Sequence, residues 1–83
     1  MTPITPQNLE QYGFRLIEWN RGVILEYWKS FRDDNQDFRI GVRFGEFKDV
    51  PYIVWLVFPD SMYALKHFNS IEQVEQLLDL LSG

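Results

Sequence analysis

Few residues in this chain have types and spacing that could do chemistry. His67 is the only histidine, and an imidazole works as a general base when a carboxylate orients its second nitrogen. Asp60 and Glu72 lie near it in sequence, which frames an alternative reading as a small enzyme or ligand binder using His67 with nearby carboxylates; no spacing fixes either acid on the ring. Asp33, Asn35 and Asp37 alternate like the first ligands of a calcium loop, where oxygens at every second position converge on one cation. The pattern stops there, because Phe38 and Phe44 stand where such a loop needs its glycine and its bidentate glutamate, so the segment reads as a polar turn. Ser30, Ser61, Ser70 and Ser82 belong to no nucleophile-elbow sequence. The five glycines never gather into a phosphate-cradling loop, and there is no cysteine to supply a thiolate or a disulfide. The expectation is a non-catalytic protein with no cofactor and no metal, one that binds rather than reacts.

Composition narrows what it could bind. With 83 residues the chain has room for one domain and one core, spanning 1–83. Fourteen of those residues are Phe, Tyr or Trp and 46% are hydrophobic, too apolar for a disordered chain. The formal charge is −4 with a pI near 4.7, so no net positive field draws the protein to phosphate backbones or anionic lipid. Nucleic acid is thereby disfavoured as a partner. Single-stranded nucleic-acid binding stays as an alternative only because aromatics on a sheet can stack on bases. The opening residues Met1 to Pro6 lack the basic and apolar regions of a signal peptide, and no run has membrane-span length; the expected location is cytoplasmic, with no membrane partner.

The elements that must position any binding residues follow from periodicity. Thr5 and Pro6 read as the N-cap and first position of a short helix that Gly13 closes, with Leu9 and Tyr12 facing the core. From Phe14 the period becomes two. Strands are expected over Phe14 to Trp19, Val23 to about Ser30, Phe38 to Phe44 and Tyr52 to Phe58, with a fifth possible over Met62 to Phe68. Asn20-Arg21-Gly22 supplies a tight turn between the first two, and a loop over Gly45 to Pro51 precedes the fourth. Ser70 and Gln73 have capping-box spacing. The helix they open places Ile71, Val74, Leu77, Leu78 and Leu81 on one face, and Glu72, Glu75 and Asp79 on a solvated one. The fold class is α+β: an antiparallel β-meander of four to five strands, with a short N-terminal helix and a C-terminal helix packed on one face.

Strict alternation then sorts the strands into two faces. Phe14, Leu16, Val23, Leu25, Tyr27, Phe38, Ile40, Val42, Phe44, Val54, Leu56 and Leu65 make a core beneath the C-terminal helix. The opposite face receives all three tryptophans, Trp19, Trp28 and Trp55, together with Glu26, Arg39, Arg43 and Lys66. Tryptophan and arginine are the residues that dominate binding hot spots, and an apolar patch of this size on a sheet marks an interface unless the amino-terminal helix or a long loop covers it or a bulge changes one strand's register. Trp19, Trp28, Trp55, Arg39 and Arg43 are the expected contact residues. The expected partner is the protein itself, as a homodimer, or another protein.

The closing segment, Leu65-Lys66-His67-Phe68 and then Ile71 through Leu77-Leu78 to Ser-Gly, resembles the strand-then-helix ending of some small uncharacterised proteins of bacteria and their phages. The opening Ile4-Thr5-Pro6-Gln7-Asn8-Leu9 with Tyr12-Gly13-Phe14 is similar to their helix, Gly-Phe, strand beginning. The two segments cover about a third of the chain. The resemblance implies the same fold and an accessory, phage-associated setting; it brings no activity.

Overall fold

A computed structural model describes residues 1–19, 24–45, 51–65 and 68–82, with Glu18, Trp19 and Ile24 described as backbone only. The elements run α1 (Pro6–Gln11), β1 (Arg15–Trp19), β2 (Ile24–Ser30), β3 (Arg39–Phe44), β4 (Tyr52–Phe58), β5 (Ser61–Leu65) and α2 (Ile71–Ser82). The five strands form one open antiparallel sheet in sequence order. This is the expected meander. The expected turn at 20–22, and most of the loop before β4, lie outside the described residues.

Both helix starts and one helix end rest on side chains or backbone that leave few amides unpaired. Thr5 Oγ1 accepts from the Asn8 amide at 3.2 Å, and Pro6, which has no amide to satisfy, follows it. At the other end of α1, the Gly13 amide donates to Glu10 O at 3.1 Å and the Phe14 amide to Leu9 O at 3.0 Å. These two bonds make a Schellman cap, which needs a left-handed residue; Gly13 has φ +87°. The cap also brings Phe14 against Leu9, and both are buried. In the capping box of α2, the Ser70 amide donates to Gln73 Oε1 at 3.3 Å and the Gln73 amide to Ser70 Oγ at 3.4 Å.

Both helices lie on the same side of the sheet. Leu9 of α1 and Ile71, Val74 and Leu78 of α2 join Tyr27, Ile40, Val42 and Val54 in one buried cluster. Leu16, expected in this core, is 43% exposed; it stands on an edge strand where no described helix covers it. The acidic side of α2 is also more occupied than a solvated stripe. Lys29 Nζ reaches across to Glu75 Oε1 at 3.0 Å and to Tyr12 O at 2.8 Å, tying α2 to the end of α1. Glu72 accepts from the Thr2 amide at 2.7 Å and from its hydroxyl, while the Ile71 amide donates to Thr2 O at 2.9 Å. The first residues of the chain are thereby clipped to the first turn of α2. β5 is described as far as Leu65. Phe68, expected at the end of that strand, is outside it, and its carbonyl accepts from the Tyr52 hydroxyl at 2.7 Å.

Candidate interaction surface

The side of the sheet away from the helices is organised by a single glycine. Register places Trp28, Gly41 and Trp55 side by side on β2, β3 and β4. Along β3 the same face carries Arg39, Gly41 and Arg43, since alternate residues share a face. With no side chain at 41, a space opens between two indole positions and two guanidinium positions. The Glu26 side chain fills it: a Cβ built on Gly41 would sit 3.4 Å from both Cδ and Oε1 of that carboxylate. Glu26 is 1% exposed although no described helix covers this side.

The buried carboxylate is held by charge. Arg43 donates to Glu26 Oε1 from Nε at 3.3 Å and from Nη2 at 3.1 Å. Arg39 Nη2 stands 3.8 Å from Glu26 Oε2, and Arg39 Nη1 donates to Gln36 O at 2.6 Å. Two arginines thus stand against one glutamate among the described residues of this face. The guanidinium of Arg43 also lies 5.8 Å from the Trp55 ring centre, and that of Arg15 lies 5.4 Å from Trp28, both within cation–π range. The satisfaction is incomplete. Glu26 Oε2, Arg39 Nε and Trp55 Nε1 are buried with no hydrogen-bond partner among the described residues, and a buried polar group without one costs about 1–3 kcal/mol.

Four of the five expected contact residues, Trp28, Trp55, Arg39 and Arg43, therefore share this face. The Trp19 side chain lies outside the described residues, as do Lys66 and His67, so the expected grouping around His67 has no described geometry. The indoles are less open than alternation alone implies. Trp28 is 8% exposed and Trp55 half-buried, because the long side chains of the same face lean over one another. In the polar turn, Asn35 Oδ1 accepts from the Asp37 amide at 2.9 Å, and Asp34 Oδ2 from Arg15 at 3.1 Å. An open depression of about 460 Å³ lies elsewhere, among Phe31, Phe38, Phe58 and Leu81 with Arg32 at its rim.

Glu26 and Gly41 are the residues that sequence reasoning passed over as functional. A signal for them was present: one glutamate between Leu25 and Tyr27 in the apolar part of β2, and one glycine midway between two arginines in the next strand. No described helix is long and apolar enough to cross a membrane. No protein family, curated protein or solved structure matches the chain.

Proposed function

We propose that this chain is a small non-catalytic interaction domain, and that its Trp28, Trp55, Arg39 and Arg43 face is the surface on which a protein partner docks. The supporting observation is the cost of the Glu26 cluster. If the face had only to seal the sheet, apolar residues at 26, 39 and 43 would do so without orphaned polar atoms, since replacing buried ion pairs by packed hydrophobes is often neutral or stabilising. Keeping a buried carboxylate, two arginines and two indoles on an uncovered sheet instead supplies what interfaces use: rigid aromatic area and planar donors. The arginine side chains select the partner. Two copies joined face to face would oppose like charges, whereas a different protein presenting carboxylates beside apolar groups would meet complementary ones. An accessory role in a phage-associated, cytoplasmic setting is the context in which we place that contact.

Photo-crosslinking in the cells that make the protein tests this. Ile53, half-buried on the same face and paired with Arg43, carries the crosslinker; exposed Gln76 on α2 serves as control. The expected outcome is one predominant protein adduct from position 53, weakened in an Arg43→Lys background that keeps the charge and loses the fork. Equal labelling from both positions sinks the assignment.

A further inference from the structure

The two edges of the sheet are built differently. β1 carries Arg15, ion-paired with Asp34 at 3.1 Å, and Glu18; charges on an edge deter the addition of another strand. β5, Ser61–Leu65, holds no charged residue and no proline, and Met62, Tyr63 and Ala64 are all exposed. Among the described residues it pairs only with β4. In an antiparallel ladder every second residue turns its N–H and C=O away from the existing neighbour, so the far side of β5 presents unpaired backbone.

We infer that β5 is a self-association edge, where a second copy of this chain adds its own β5 antiparallel across a two-fold axis at Tyr63. Two features select a second copy in this register. A two-fold at Tyr63 sets Met62 against Ala64 of the partner subunit, a large residue against a small one, and does so twice. Next, Ala64 pairs with Trp55 and Met62 with Val57 within one subunit, so the small Ala64 leaves a step beside the indole. The incoming Met62, 44% exposed in the single chain, fills that step and continues the apolar row across the junction. A perpendicular two-fold keeps like faces together, so both tryptophan faces end on one side of a continuous ten-stranded sheet. This assignment does not depend on what docks there.

The test uses the absence of cysteine from the chain. Under mild oxidation, Tyr63→Cys is expected to give a disulfide-linked dimer at least about ten-fold faster than Leu80→Cys, which is placed on the exposed side of α2 (Leu80 80% exposed). Sedimentation of the unaltered protein across micromolar to millimolar concentrations is expected to show a monomer–dimer equilibrium. Tyr63→Lys, which sets like charges opposite each other, should weaken it roughly ten-fold with an unchanged circular dichroism spectrum. A protein that stays monomeric throughout overturns the inference, as do equal oxidation rates for the two cysteine variants. A dimer indifferent to Tyr63→Lys but dissociated by Arg43→Lys also overturns it, and would move the two-fold to the tryptophan face.

Discussion

Glu26 shows how one side chain can be decided by the absence of another. Its carboxylate occupies the space that Gly41 leaves and is 1% exposed, a position tolerable only because two guanidiniums offset the lost hydration. The charges depend on one another: removing the carboxylate takes from both cations the counter-charge that Glu26 supplies. Glu26→Gln keeps the shape and is expected to cost about 3 kcal/mol, the low end for breaking a buried pair, because Arg39 and Arg43 retain some access to water. The same reasoning gives a compensating change. Glu26→Leu combined with Arg43→Met should recover part of that loss, since it removes the closer pair together and leaves Arg39 its bond to Gln36 O. Urea unfolding of the single and double variants measures both. A double variant no more stable than Glu26→Gln would mean that the cluster contributes net stability of its own, and the case for its retention as a binding surface would fail with it.

At the scale of elements, each helix is attached to the sheet by a few specific bonds as well as by apolar area. α2 begins at Ile71, whose amide is held by Thr2, and continues to Glu72, which receives the Thr2 amide and hydroxyl. Those hydrogen bonds hold the Glu72 carboxyl at about 2, well below its ordinary 4.5, the Thr2 hydroxyl contributing most. A carboxyl whose folded pKa is depressed stabilises the fold while it is ionised in both states. Its contribution is thus complete above about 4.5 and is lost as pH falls towards 2. Urea midpoints measured down that range should therefore drop more steeply for the natural protein than for Glu72→Gln, the two curves converging near pH 2. Parallel curves would show that Thr2 does not hold Glu72 in solution. Such attachments explain what sequence could and could not disclose. Thr5-Pro6, Gly13 and Ser70 with Gln73 are local signals whose partners lie within five residues, and each was legible. Strand alternation placed Trp28, Trp55, Arg39 and Arg43 on one face for the same reason, since the period of two is a property of the chain itself. Lys29 with Glu75 and Thr2 with Glu72 join residues 46 and 70 positions apart, and no pattern along the chain announces them. Glu26 over Gly41 belongs to the same class, because which residue fills a gap between strands depends on cross-strand register.

At the scale of the whole molecule, the sheet is assembled from neighbours and the two termini are what close it. Each strand pairs with the next one in sequence, so the meander needs only short loops to form. The remaining closure is long-range: Leu9 and Ile4 from the start of the chain meet Ile71, Val74 and Leu78 from its end in one cluster over the sheet. A domain of this length has only about 4–12 kcal/mol of total stability, which makes a single residue in that closure consequential. Ile4 precedes α1 and is 8% exposed. It lies between the Thr2 clip and the Thr5 cap, so its packing holds the amino-terminal segment against α2. Ile4→Ala is expected to cost about 2 kcal/mol, which at this size lowers the melting temperature by about 10 °C. The loss should also be uneven. Amides of α2 should gain hydrogen-exchange rate before those of β2 and β3, whose ladders have a strand on each side and are untouched by the change. Exchange that rises equally in α2 and in the central strands would instead make the sheet and its terminal cover one cooperative unit, with no separable closure step.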